Sequence, residues 1–233
     1  AERRIGLPAT APLVRRSWLA VGGTVLTARL ALQHGLACHL AGGTHHAFPH
    51  YGSGFCIFND CAVAARVLLE EGAVQRLMVI DLDVHQGNGT ASIFANDPSV
   101  WTLSIHGEKN FPFRKVKSDL DVGLPDGCTD EPYLEALDGA LEAVLRHIKP
   151  EFLIYLAGAD AHEADRLGRL KLTEEGMQAR DQKVFDWAKA HRLPMIICMG
   201  GGYGRDLKTT VSVQMNTWRL AHTHWLHWQN RGL

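Results

Sequence analysis

The sequence has no apolar run long enough to span a membrane, no excess of charge of either sign and no Cys-x-x-Cys pair. Each absence removes a class of function. Without a stretch of about 20 apolar residues there is no membrane anchor to expect. Lys and Arg number 24 against 25 Asp and Glu, for a formal net charge of -1, so the basic footprint that draws a protein to nucleic acid is missing. The five cysteines, Cys38, Cys56, Cys61, Cys128 and Cys198, are odd in number and mostly sit in or beside apolar runs. They read as reduced, buried thiols of a cytoplasmic protein rather than as a disulfide framework. No internal repeat, low-complexity linker or signal sequence is apparent. What remains is 233 residues, 46% hydrophobic and 21% charged, enough to bury a large core as one domain over residues 1–233.

The chemistry concentrates where apolar runs end. Leu77-Met78-Val79-Ile80 closes in Asp81-Leu82-Asp83-Val84-His85 and then Gln86-Gly87-Asn88-Gly89-Thr90. This is the pattern of a buried parallel strand delivering side chains to the carboxyl edge of a sheet, where open α/β folds build their sites. Asp81, Asp83 and His85 lie two apart and point to one side. Acids at strand ends also serve as simple turn caps, but caps do not need an imidazole in phase with two carboxylates. A second run, Phe152-Leu153-Ile154-Tyr155-Leu156, ends in Ala157-Gly158-Ala159-Asp160. Asp83, His85 and Asp160 together make three ligands for a divalent ion and leave a fourth position for water, the arrangement of a catalytic zinc. Two more exits converge: Leu36 to Ala41 runs into Gly42-Gly43-Thr44-His45-His46, and Pro194 to Met199 runs into Gly200-Gly201-Gly202-Tyr203. Paired histidines supply acid–base chemistry near neutral pH; three glycines let the backbone approach closely.

In this arrangement the chain resembles the zinc-dependent histone deacetylases of the arginase/deacetylase superfamily. The resemblance runs from about Gly22 to Tyr203 and rests on Gly42-Gly43-Thr44-His45-His46-Ala47, Gly54-Phe55-Cys56, Asp81 to Thr90, Gly158-Ala159-Asp160, Asp165-Arg166-Leu167-Gly168 and Gly200-Gly201-Gly202-Tyr203, in the family's order. His85 to Gly89, with His106 to Lys115, looks most like the class IV branch and its bacterial relatives. The resemblance implies Zn²⁺ on Asp83, His85 and Asp160, His46 as general base, and His45 as its partner. Asp81 would stand behind His45, and Asn88 behind His46 where some relatives carry an Asp. A neutral Asn stabilises an imidazolium less than a carboxylate does, which makes His46 the easier of the two to deprotonate. Tyr203 would donate its hydroxyl to the substrate carbonyl. Phe55 and Phe111, with Gly54 and Gly201, would form the tunnel for the acyl-lysine stem. A monovalent cation, usually K⁺, would be held mainly by backbone oxygens of Asp81, Asp83, His85, Ser104 and Ile105, with Phe94 near a second such site.

The expected fold is α/β: a central parallel sheet with helices on both faces, a three-layer arginase/deacetylase-like domain. Strands are expected near 36–41, 77–83, 100–105, 152–157 and 194–199, and helices near 22–34, 60–72, 131–148, 173–191 and 206–228. Residues 107–130 read as a long loop over the site, whose basic run Arg114-Lys115-Val116-Lys117 suits a solvated face better than a substrate contact. Trp218, His222, His224, Trp225, His227 and Trp228 have helical spacing, which favours a packed Trp face over a second metal. The chain opens at Ala1 without Met, and the resemblance implies that an upstream strand segment, with an acidic rim residue, is lacking. The expected activity is hydrolysis of acyl groups, acetyl or longer, from lysine side chains of proteins. The long-chain option would be lined by Ala41, Gly42, Ala47, Ala157 and Met199, which equally suit core packing. Alternatives are an acetylpolyamine or other small-molecule amidohydrolase and an inactive acyl-lysine binding module. A di-manganese ureohydrolase would need more ligands than a single Asp160 provides.

Overall fold

Leu77–Asp81 and Phe152–Leu156, the runs that carry the acidic exits, lie side by side in one parallel sheet, with Asp81 opposite Leu156. The computed structural model describes residues 2–229. In chain order they form α1 (Glu2–Ile5), α2 (Ala11–His34), β1 (Leu36–His39), α3 (Asp60–Glu70), β2 (Leu77–Asp81), α4 (Asn88–Phe94), β3 (Val100–Gly107), β4 (Leu120–Leu124), α5 (Asp130–Val144), β5 (Phe152–Leu156), α6 (Glu174–Ala190), β6 (Met195–Cys198) and α7 (Leu207–Gln229). The strands pair in the order β1-β6-β5-β2-β3-β4, and every pairing is parallel. From β2 the chain continues outward to β3 and β4; from β5 it continues the other way to β6. The carboxyl ends of β2 and β5 therefore flank the topological switch point, the crevice where such sheets hold ligands.

Strand alternation divides the interior into two layers. Met78, Ile80, Leu153, Tyr155, Met195 and Ile197 pack with residues of α5, α6 and α7. Leu77, Val79, Phe152, Ile154, Ile196 and Cys198 pack against α2, α3 and α4. A strand buried on both faces loses the polar–apolar alternation of a half-exposed one, which is why these runs read as continuously apolar. The doubly covered parallel sheet and its helical layers match the expected fold.

The differences are local and have physical causes. Helix α2 begins at Ala11, not near 22, with Thr10 accepting from the Leu13 N–H as its cap. Its first turns carry little helical signal because Trp18 and Leu19 are more than half exposed and blur the apolar stripe. Strand β4 lies inside the expected loop 107–130, an edge strand in which only alternate residues are shielded, and charged, glycine-containing edges carry little strand signal. The short α4 starts at Asn88, directly after Gly87, and is absent from the expected elements. Strand β2 stops at Asp81. Asp83 and His85 thus stand on its exit loop rather than on the strand. All five cysteines are free thiols.

The two exits are tied from behind. Arg180 of α6 is fully buried. Its Nη1 donates to the carbonyls of Leu82 (3.2 Å) and Gly158 (2.7 Å), and its Nε donates to Asp181 Oδ1 at 2.9 Å. Nη2 lies 2.8 Å from the same carboxylate oxygen as an ion-pair contact, off the line of a hydrogen bond. Asp181 also accepts from the hydroxyls of Tyr155 and Thr217. Removing one member of such a buried pair strands the other's charge. Arg180→Ala is expected to cost about 3–5 kcal/mol of stability, read as a lower urea midpoint; a loss under about 1 kcal/mol would show that the tie carries no weight.

Candidate functional site

Beyond Asp81 the alternation of β2 persists without the strand. Leu82 and Val84 turn into the α5–α7 layer, while Asp83 and His85 turn toward the crevice, where both line a cavity of about 540 Å³. His85 Nδ1 lies 3.0 Å from Asp83 Oδ1 and 3.1 Å from Asp160 Oδ2. Ligand atoms of Asp83, His85 and Asp160 all fall within 4.8 Å of one another. Both carboxylates are fully buried. Both carboxylates also accept from backbone amides: Asp160 Oδ1 from Val84 (2.9 Å), Asp83 Oδ1 from His85 (2.9 Å), and Asp83 Oδ2 from Gly201 (2.6 Å). A Cβ on Gly201 would run into both carboxylates, so glycine is needed there for close approach. Two hard oxygens and one imidazole nitrogen converging on a point form a donor set suited to a divalent ion such as Zn²⁺.

A second group, Asp60, Cys61 and Cys198, is equally close, but its carboxylate is already satisfied. Asp60 accepts from the amides of Gly43 and Thr44 and from the hydroxyls of Thr24 and Thr44. It anchors the Gly42–Thr44 loop that presents the histidines. Sequence reasoning missed this residue; the only signal was Asn59-Asp60 at a helix start, which reads as ordinary capping.

The rings of His45 and His46 lie in contact but tilted by 38°, with centroids 4.0 Å apart, yet their partners differ. His45 Nδ1 donates to Asp81 Oδ2 at 2.6 Å, and its Nε2 lies 3.8 Å from Asp83. Burial lowers the His45 pKa, but Asp81 and Asp83 more than offset this and hold it up at about 9. His46 Nδ1 faces Asn88 Oδ1 at 2.8 Å. That amide oxygen also accepts from the Gly89 N–H, which fixes it as the oxygen, so His46 is protonated at Nδ1 and its Nε2 lone pair is open. Burial and the neighbouring His45 push the His46 pKa well below its ordinary value. One imidazole is thus held charged and the other neutral.

The walls come from four loops. Gly54 and Phe55 both adopt positive φ, 50° and 64°, and a Cβ on Gly54 would strike His46 and Phe111. Their amides donate to the carbonyls of Arg4 (3.1 Å) and Ile5 (2.7 Å), so α1 is stitched to this wall. Phe111 meets His46 edge-on at 4.9 Å. Tyr203 lines the cavity, its ring 6.0 Å from Phe55. Its N–H donates to Asp165 Oδ2 at 2.6 Å, and its carbonyl accepts from Arg166 Nε at 3.0 Å. Burial and the nearby Asp83 raise the Tyr203 pKa, keeping the phenol protonated. Lys115 Nζ donates to the carbonyls of Asn110 and Pro112, both at 2.7 Å, bracing the loop that bears Phe111 rather than facing a substrate.

The expected cation-site residues Ser104, Ile105 and Phe94 fall outside the cavity. Ser104 pairs with Asp81 across β3 and β2, and its hydroxyl contacts His106 Nδ1 at 3.0 Å. Ile105 packs into the α5–α7 layer. Phe94 packs in the α2–α4 layer. Of the five residues expected to line a long-acyl channel, Ala41 and Gly42 line the cavity; Ala47 and Ala157 are buried in the interior, and the half-buried Met199 lies outside the cavity lining. The C-terminal aromatic run is helical in α7, where His224 stacks on Phe185 at 4.9 Å. A larger, shallower groove of about 820 Å³ beside α3 gathers Arg29, Arg66, Glu70 and Glu71. Arg29 pairs with Glu71 and Arg66 with Asp97, leaving that groove no convergent chemistry. Among the described residues, no helix is long and apolar enough to cross a membrane.

Comparison with known proteins agrees with this layout. The histone deacetylase domain matches residues 5–218. An uncharacterized protein of Picosynechococcus sp. is 53% identical over 211 residues, covering 91% of this chain and 70% of that protein. Histone deacetylase 2 of Arabidopsis thaliana is 38% identical over 186 residues, covering 78% of this chain and 48% of its own length, so this chain spans about half of the plant protein. The crystal structure of an acetylpolyamine aminohydrolase from Burkholderia pseudomallei superposes with a TM-score of 0.76 at 23% identity, over 90% of this chain and 63% of that one, a likeness of fold. With the domain matched over residues 5–218 of its 233, this chain belongs to the histone deacetylase family.

Proposed function

We propose that this chain is a zinc-dependent amidohydrolase that removes acetyl groups from lysine side chains of proteins. The observation that carries the reading is the convergence of Asp83, His85 and Asp160 on one point beside a neutral histidine, His46, whose Nε2 is open. Bound by those three donors, Zn²⁺ would polarise the acyl carbonyl and acidify a water. The chain's own groups account for the rest. His46 accepts the water's proton at Nε2 and later carries a proton to the departing amine. His45, kept charged by Asp81, adds a fixed positive charge beside it. The Tyr203 hydroxyl donates to the carbonyl oxygen as negative charge develops there. Phe55 and Phe111 line the passage for the apolar stem and keep water out. Of the five residues that would line a long-acyl channel only Ala41 and Gly42 reach the cavity, which favours an acetyl-sized group over a longer chain. We further propose K⁺ behind the site on backbone oxygens near Asp81, Asp83, His85, Ser104 and Ile105, where buried carboxylates leave excess negative charge, with Phe94 near a second ion, and a cytoplasmic location. A second reading, hydrolysis of acetylpolyamines, is favoured by the structural likeness to the aminohydrolase above.

The purified protein is expected to carry about one Zn²⁺ per chain, and Asp160→Ala to lose it, by elemental analysis; full metal occupancy in Asp160→Ala would refute the ligand assignment. Separately, His46→Ala and Tyr203→Phe should each retain metal and lower kcat on a fluorogenic acetyl-lysine peptide by on the order of 10²-fold or more. Near-unchanged turnover in Tyr203→Phe would remove the phenol from the reaction.

A further inference from the structure

The cavity's mouth has a charge of one sign. Arg4, Arg16, Lys109 and Arg169 line it from separate segments, while among the described residues its lining contains one carboxylate, Asp83, which the donor cluster on the floor already engages. All four cations are exposed. Arg169 is partly compensated, its Nη1 lying 3.1 Å from the exposed Asp126. The Arg4 guanidinium lies over the Tyr51 ring at 4.8 Å, a contact that orients the charge without neutralising it. Among the described residues, Arg4, Arg16 and Lys109 take part in no ion pair with a carboxylate. Glu108, next to Lys109 in sequence, packs over Gly123 on the sheet-edge side. The chain's overall charge is almost balanced, so this is a local field set around one opening.

An amide at the floor places the rest of its substrate at that mouth. An acylated polyamine puts its remaining ammonium groups there, and a lysine-rich peptide puts neighbouring lysines there; both meet like charge. Glutamates and aspartates flanking the acylated lysine meet opposite charge. Resting on the deacylase reading above, we infer that this site selects acylated lysines carried in acidic stretches of protein or peptide and disfavours acylated polyamines. The passage admits the neutral stem in every case, and the mouth decides which stems arrive. Rim charges act mainly on encounter and are screened by salt.

The test uses the zinc-loaded full chain with three acetyl-lysine peptides, flanked by Glu, by Ser or by Lys, and with acetylspermidine. At low ionic strength kcat/KM is expected to fall from Glu- to Lys-flanked peptide by on the order of tenfold, with acetylspermidine at or below the Lys-flanked value. The gap should shrink as salt approaches 1 M. In Arg16→Glu/Lys109→Glu it should narrow or invert, with the melting temperature checked to confirm folding. Equal turnover of the three peptides, a gap indifferent to salt, or acetylspermidine matching the Glu-flanked peptide would overturn charge selection while leaving a deacylase. Fluorescence anisotropy of the same peptides separates the two claims. Tighter, salt-sensitive binding of the Glu-flanked peptide with no turnover of any substrate would uphold the charged mouth and reject the deacylase.

Discussion

Two carboxylates stripped of water and pressed against one imidazole form the constraint on which the rest of the site depends. Asp83 and Asp160 have no solvent contact. Burial and the neighbouring Asp83 lift the Asp160 pKa to about 6, whereas burial of Asp83 is outweighed by His45 and His85, which hold its carboxyl well down. Such a pair persists only where positive charge and backbone donors surround it. The adjacency of β2 and β5 brings the acids together, the amides of Val84, His85 and Gly201 satisfy their oxygens, and Arg180 fixes the carbonyls behind them. Each of these is a backbone arrangement as much as a side-chain one. A divalent ion would complete the same balance from the open side.

The neighbouring histidines show how one environment yields two proton affinities. Both rings are buried, so desolvation disfavours charge on each. What separates them is mainly the charge of the partner: the carboxylate of Asp81, with Asp83 near, against the neutral amide of Asn88. The charged ring in turn repels a second proton from its neighbour. Division of labour between the two imidazoles is therefore set largely by Asp81 and Asn88, which lie behind the rings and outside the cavity lining.

Much of this was readable before any coordinates, because strand exits concentrate chemistry and alternation survives past the end of a strand. Asp81, Asp83, His85 and Asp160 could be grouped from two apolar runs and their endings. Their neighbours in space could not, since nothing in the sequence sets Arg180 beneath Leu82 and Gly158, or Asp60 beneath Gly43 and Thr44. Such ties join distant segments through carbonyls and amides, which every residue possesses. β4 escaped notice for another reason: a strand shielded on one side at the sheet's edge needs little apolar character. The charged mouth was invisible in composition, because four cations from separate segments vanish in a balanced total.

The stitching of Gly54 and Phe55 to the carbonyls of Arg4 and Ile5 divides the site between two parts of the chain with different freedoms. The floor stands on the exits of β2 and β5, pinned by the buried Leu82 and Val84, and cannot shift without disturbing the core. Part of the rim belongs to a four-residue helix held by a pair of main-chain bonds that do not depend on side-chain identity. Substitutions in α1 can therefore remodel the entrance while the reaction machinery stays as it is, so descendants of one ancestral catalyst can diverge in diet without relearning the chemistry.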